Sequence, residues 1–272
     1  MNDTDAIVQL ALAEDIGTGD VSASLLDNQS ISAHIIAKQP AIVCGINYVN
    51  RSFALVDETS RIDWQVQDGD GVSNNQVLCT IQGNNRSILS GERVALNFLQ
   101  TLSAVATQTH RLVTQIAHTQ AQLLDTRKTL PGLRRAQKQA VSCGGGTNHR
   151  LGLYDCVLLK ENHIQLFGSV QWAIQQAKKK QPLLPIIVEV EDLRQLDVAL
   201  NTSGLARILC DNFSIEDLRS AVLMARGQYP LEASGNIGQH NLVAIAETGV
   251  DYISLGAITK NIQAIDYSLL IA

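Results

Sequence analysis

A rhythm in the second half of the sequence limits the fold most. Short apolar runs recur at 156–160, 186–189, 208–211, 231–235 and 252–256, led by an earlier one at 123–125, and each closes on a polar residue or a glycine. The closing positions Asp125, Lys160, Glu189, Asp211, Ser234 and Gly256 lie 35, 29, 22, 23 and 22 residues apart. Every gap has room for one helix and two short loops, which is the period of strand-helix units that build a parallel sheet. The gaps also look helical. Ser214 stands as a cap before acids, with Ile215, Leu218, Val222 and Ala225 at helical spacing. Similar patterns fit 169–180, 192–201 and 239–248. Polar residues end strand after strand instead of gathering at one switch point, and no G-x-G-x-x-G follows any strand. The expectation is an α/β fold, a parallel barrel of about six strands, incomplete against the usual eight.

The first hundred residues read differently. Segments 31–37, 62–66 and 77–81 are short and β-like, separated by turn chemistry such as Asp68-Gly69-Asp70-Gly71. A smaller α+β sandwich domain over 1–104 should precede the barrel at 105–260, with the tail 261–272 packing on the first domain. A helical stretch over 90–118 would bridge the two. That boundary places Arg93 in a first helical turn, where the helix dipole disfavours a cation.

Charge is distributed unevenly. The segment 123–164 holds seven Lys or Arg against three acids in a chain of formal net charge −5. Such a concentration beside glycines and apolar runs suggests a pocket for an anionic small molecule. Arg134, Arg135 and Lys138 also suit the wet face of a helix. Arg127, Lys128, Arg150 and Lys160 sit at the ends of apolar runs or just past Gly144-Gly145-Gly146, where strands would deliver them to one rim. Glu189 and Asp211 end consecutive runs and would join that rim, to hold hydroxyls, a hard cation or a developing positive charge, or else to pair with rim arginines or cap the following helices. Ser234-Gly235-Asn236 and Leu255-Gly256-Ala257 follow the last two runs and suit a phosphate monoester bound by backbone N–H groups. His149 could donate to an anion beside Arg150, whereas His163 reads as structural.

Several classes are disfavoured. An acidic chain with four Phe, two Trp and five Tyr offers little to nucleic acid. No basic-then-apolar leader opens the sequence and no run approaches a membrane span, so no membrane partner and a cytoplasmic location are expected. The five cysteines are scattered and never form C-x-x-C, which argues against a disulfide framework or a zinc site and for small core residues.

At these residues the chain resembles the quinolinate phosphoribosyltransferase family. The matching stretches are ALAEDIGTGDVS, GERVALNFLQTLSAVAT, LLDTRKTLPGLR, GGGTNHRLGLYDCVLLKENHI, VEVEDLRQL, ILCDNFS, LEASGNI and VDYISLGAIT. The resemblance implies a type II phosphoribosyltransferase of NAD biosynthesis: a two-domain, homodimeric, Mg2+-using enzyme that joins quinolinate to 5-phosphoribosyl 1-diphosphate with loss of carbon dioxide. It places Arg93, Arg127, His149, Arg150 and Lys160 at quinolinate, with Arg93 reaching into the partner's site. Thr126 and Lys128 fall near the reacting centre, Glu189 and Asp211 face ribose and metal, and 234–236 and 255–257 are phosphate loops. In this reading Lys128, Glu189 and Asp211 are the catalytic residues. One departure is Ile258-Thr259-Lys260-Asn261, where the family usually carries a His-Ser pair. A molybdenum-locus relative of the fold with another acceptor, and a non-catalytic anion-binding module, are the alternatives.

Overall fold

The structure is a computed structural model and describes residues 3–272. It opens with helix α1 (Asp3–Ile16), then β1 (Ser30–Ala37), β2 (Ala41–Ile42), α2 (Ile46–Val56), β3 (Arg61–Trp64), β4 (Gly71–Val72), β5 (Val77–Asn84) and the long α3 (Asn85–Gln115). Next come β6 (Gln122–Leu124), α4 (Arg134–Cys143), β7 (Val157–Leu159), α5 (Glu161–Phe167), α6 (Val170–Lys180), β8 (Ile186–Val190) and α7 (Leu193–Leu200). The chain continues through β9 (Arg207–Asp211), α8 (Ile215–Ala225), β10 (Leu231–Ser234), α9 (Leu242–Ala246), β11 (Tyr252–Ser254) and α10 (Ala257–Lys260) to β12 (Tyr267–Ile271). Among the described residues, no helix is long and apolar enough to cross a membrane.

Two compact units emerge. One takes the chain up to Gln108 together with Pro131–Gly144 and Asn261–Ala272; the other takes Thr109–Leu130 and Gly145–Lys260. The stretch 131–144, which carries α4, thus lies within the span read from the sequence as barrel yet clusters with the first unit.

The first unit is built on an antiparallel sheet of order β12-β1-β5-β3. Alternation along β1 turns Ala33, Ile35 and Ala37 inward, where they pack with Leu78, Ile81, Phe53 and Leu99. The second unit is a six-stranded parallel sheet of order β6-β11-β10-β9-β8-β7. Its first two strands in sequence lie on opposite edges, the order of an α/β barrel left unsealed at one place, as the spacing predicts. Every residue of β8 is buried, as expected for a strand covered on both faces. Registers Ser234↔Asp211 and Ser254↔Leu124 bring the strand ends to a common rim.

Local chemistry explains the boundaries. Ser169, Asp192 and Ser214 cap α6, α7 and α8, each side chain accepting a backbone N–H of the first turn. Three expectations change. Helix α3 starts at Asn85, directly after β5, because the Asn84 and Asn85 carboxamides accept the Arg86 N–H at 2.9 Å. Gly91 is no helix start: it lies inside α3, where a Cβ would come within 3.0 Å of the Phe53 ring. Arg93 is therefore the ninth residue of α3, beyond the first turn in which the helix dipole disfavours a cation. Lys138 is 3% exposed, not part of a wet face. Helix α9 is shorter than 239–248, because the Asn241 side chain accepts the Gly238 N–H and donates to the Asn236 carbonyl, fixing a loop ahead of it.

Candidate active site

The barrel rim gathers most of the residues singled out by the sequence. Thr126, Arg127 and Lys128 leave the end of β6, and Lys160 and Glu189 come from the ends of β7 and β8. With His149, Arg150 and Ser234 they line one cleft. The loop that delivers His149 runs beside the open edge of the sheet, with Thr147 bonded to Leu123 and bridged to Leu124. Asp125, fully buried, accepts the His149 N–H at 2.8 Å. The next loop is tied by Asp155, whose two oxygens accept the Leu151 and Gly152 N–H groups at 2.6 and 3.0 Å. Arg150 is thus fixed at its backbone, and its guanidinium donates to the Cys156 carbonyl at 3.2 Å.

The cleft is electrostatically strained. Burial, followed by the neighbouring Arg127 cation, lowers the Arg150 pKa, so two guanidiniums share a partly desolvated wall. Lys160 Nζ lies 2.6 Å from Glu189 Oε2. Burial nevertheless holds the Glu189 carboxyl above its usual range; Lys160 pulls it down, and Asp211 and Glu161 push it up. Two guanidiniums side by side in a partly desolvated wall suit a ligand that brings its own negative charge.

A residue the sequence reading passed over lies at the bottom of the cleft. Glu232, in β10, is completely buried, with Arg207 at 3.1 Å and His149 Nε2 at 3.4 Å. Neither contact is aligned as a hydrogen bond, so both carboxylate oxygens retain acceptor capacity. His149 Nδ1 accepts the Arg150 N–H at 2.7 Å, which leaves the proton of a neutral ring on Nε2, facing Glu232. Arg207 in turn stacks 4.4 Å over the Tyr252 ring. The signal for Glu232 was available: a glutamate inside the apolar run LEAS must face a pocket or a buried cation.

The first of the two segments expected to bind phosphate lines a neighbouring pocket. Ser234, Gly235 and Asn236 line it with Asn212 and Asn241. Gly235 has φ +92, and a Cβ there would sit 2.3 Å from Asn212 Oδ1 and 2.8 Å from Asn212 N. Asn212 and Asn236 also have positive φ, and the Asn236 amide donates to Asn212 Oδ1 at 3.0 Å. Asp211 accepts from the Asn212 amide at 2.6 Å and does not line the first cleft. Leu255 and Ala257 line neither pocket, whereas Gly256 lies against Lys128, whose Cδ would be 2.8 Å from an added Cβ. Thr259 Oγ1 donates to the Lys128 carbonyl at 2.8 Å, and Lys260 is exposed. Arg93 belongs to the other unit, exposed on α3 with its guanidinium 3.7 Å from Glu92.

Comparison with known proteins fits this geometry. The quinolinate phosphoribosyl transferase N-terminal domain matches residues 18–103, and the C-terminal domain of the same enzyme matches residues 105–270. The chain belongs to the quinolinate phosphoribosyltransferase family. Similar relatives include the decarboxylating quinolinate phosphoribosyltransferase 2a, mitochondrial, of Nicotiana tabacum, 40% identical over 98% of this chain and 82% of the relative. A probable carboxylating nicotinate-nucleotide pyrophosphorylase of Bacillus subtilis is 40% identical over 94% of this chain and 89% of its own length. Among solved structures, the nicotinate-nucleotide pyrophosphorylase of Francisella tularensis superposes with a TM-score of 0.98 at 45% identity, covering 100% of this chain and 96% of that one. The two domains of the quinolinate phosphoribosyltransferase family meet at residues 103–105, inside α3, so one continuous helix carries the chain from the first domain into the second.

Proposed function

We propose that this chain is a decarboxylating quinolinate phosphoribosyltransferase that takes phosphoribosyl from 5-phosphoribosyl 1-diphosphate and yields nicotinate mononucleotide, carbon dioxide and diphosphate, a step of NAD biosynthesis. The observation that carries this reading is the cleft wall of Arg127, Arg150 and Lys160, partly desolvated, opposite the carboxylate of Glu189. Quinolinate presents two adjacent carboxylates beside a pyridine nitrogen. Arg127 and Arg150 match them in charge and planarity, and bidentate pairing would orient the ring. The pocket at Ser234-Gly235-Asn236 suits the 5-phosphate of the sugar.

Chemistry follows from placement. The pyridine nitrogen attacks C1 of the ribose while the C1–O bond breaks and its electron pair leaves with diphosphate. Glu189 and Asp211, on adjacent strand ends, stabilise the positive charge that builds on C1 directly or through the ribose hydroxyls. The alkylated ring nitrogen is cationic, so the pair left on C2 as the 2-carboxylate departs as carbon dioxide is stabilised by the adjacent positive charge, and that carbon then takes a proton. Lys128, exposed beside Gly256 at the rim, is placed to assist that proton transfer or to hold the diphosphate.

Magnesium fits the donor set. Glu189 and Asp211 offer hard carboxylate oxygens, but Lys160 already engages Glu189, so these acids would hold the ion weakly and the diphosphate would hold most of it. Bound there, it makes diphosphate a better leaving group. The working form in this reading is a cytoplasmic homodimer in which Arg93 completes the partner's quinolinate site. Product analysis tests the reaction: protein mixed with quinolinate, magnesium and the sugar donor should release carbon dioxide and diphosphate in equal amounts. Release of diphosphate with nicotinate as acceptor would overturn the demand for two carboxylates, and binding without release would leave only an anion-binding protein.

A further inference from the structure

Outside the cleft, three residues far apart in the sequence converge within the first unit. Cys44 Sγ lies 3.4 Å from Cys143 Sγ. A carboxylate oxygen of Asp68 completes a cluster whose donor atoms all lie within 4.8 Å of one another. No sequence spacing announces it. The connection between β2 and α2, the 67–70 turn and the last residue of α4 bring the donors together.

We propose that Cys44, Asp68 and Cys143 form a binding site for one thiophilic divalent cation, of which zinc is the best match. Two thiolates and one carboxylate are a donor set that zinc accepts, and a water would complete four-coordination. Zinc–sulfur bonds of about 2.3 Å at a tetrahedral angle put the two sulfurs roughly 3.7 Å apart, so the pair needs to open by only a few tenths of an ångström.

The donors are anchored from outside, as metal ligands are. The Cys44 N–H donates to Ser103 Oγ at 3.0 Å. Asp68 Oδ1 is fixed by the Gly45 and Ile46 N–H groups at 2.9 and 3.1 Å, at the start of α2. Asp68 Oδ2 accepts a longer hydrogen bond from the Gln139 amide, at 3.3 Å, and Gln139 precedes Cys143 by one turn of α4. That leaves Oδ2 as the oxygen able to turn toward the sulfurs.

Charge points the same way. Cys44 donates its S–H to Cys143, and this bond first, then burial, push the Cys44 thiol far up while the same bond pulls Cys143 down. Cys143 is the sulfur that accepts this bond. It sits at the carboxyl end of α4, where the helix dipole disfavours an anion and favours a cation. Asp68 adds a third negative donor, and a divalent ion would neutralise two of the three charges. Cys143 and Asp68 are only partly buried, so an ion has a way in from their side, with the fully buried Cys44 behind them.

The test uses the full chain, reduced and stripped with a chelator. Zinc is titrated against a chromophoric chelator, and cobalt is followed by thiolate-to-cobalt charge transfer in the near ultraviolet. The expected result is one zinc per chain, a cobalt charge-transfer band, and binding weakened by about ten-fold or more in both Cys143→Ser and Asp68→Asn. Asn keeps a side-chain oxygen for the Gly45 and Ile46 N–H groups, so Asp68→Asn should retain the melting temperature of the parent and separate lost ligation from lost folding. Three results overturn the site: no zinc bound while all five thiols remain reduced; unchanged affinity in both variants, which would move the ion to the carboxylates of the cleft; or a Cys44–Cys143 disulfide that forms in air as fast with zinc as without it.

Discussion

Arg150 shows what a single side chain can be asked to do here. It is held by its own backbone N–H on His149 and by its guanidinium on Cys156, beside a second guanidinium at Arg127. Replacing it with lysine keeps the charge and loses the planar fork. Arg150→Lys should lower kcat/KM for quinolinate by about 10- to 100-fold while the melting temperature barely moves. Unaltered kinetics would make it a bystander. Glu189 is testable by pH. Because burial raises its folded pKa above the unfolded value, the folded state binds the proton more tightly, so stability is lost as pH rises from the ordinary carboxylate range through the raised value. Denaturant midpoints measured across that window should fall in the wild type more than in Glu189→Gln; parallel curves would contradict the assignment. Most of these residues were legible because they close apolar runs, where a strand hands its last side chain to the rim. Glu232 carries a weaker mark, a charge inside an apolar run, and its partners Arg207 and His149 come from other elements.

Elements were legible in proportion to their punctuation. The barrel strands and the helices begun by Ser169, Asp192 and Ser214 carry their own start signals, and the structure places them within a residue or two of the sequence reading. Helix α3 does not: Asn84 and Asn85 are a genuine cap, but Ser90-Gly91 imitates one, and only the ring of Phe53 shows why a glycine sits inside the helix. Helix α5 begins directly after Lys160, with the His163 ring accepting the Lys160 N–H at 3.1 Å, a tertiary economy that no spacing rule displays. The bond gives His163 a structural part at the start of α5. The turn after β10 yields a sharper test. Gly235→Ala would place a Cβ on the Asn212 side chain and backbone at a left-handed φ, so two strand-end loops must shift together. Expected are a stability loss of about 1–3 kcal/mol in urea and a raised KM for the sugar donor, with the KM for quinolinate nearly unchanged. Equal effects on both substrates would detach this loop from the phosphate.

At the scale of the whole molecule, the shared-site reading makes Arg93 the residue to test, because it lies exposed on α3, outside the barrel unit. Mixing Arg93→Ala chains with Lys128→Ala chains should restore activity that neither homodimer has. Random pairing makes about half the dimers mixed with one intact site in two, so recovery should approach about a quarter of the wild-type rate. Verified heterodimers without recovery would confine Arg93 to its own subunit or remove it from the site. The alternation of two folding patterns along the chain was readable, but the return of residues 131–144 to the first unit was not, since a basic helix between two strand-like runs looks like any other barrel helix. Another return has a consequence for synthesis. Strand β1 is flanked by β5 on one side and by β12 on the other, with Ala33 paired to Ile271 and Ala37 to Tyr267. On the ribosome, therefore, the amino-terminal sheet keeps the β1 edge bare until residues 267–271 have been made and have left the exit tunnel. Nascent chains halted between 261 and 266 should present that naked edge to chaperones or to one another.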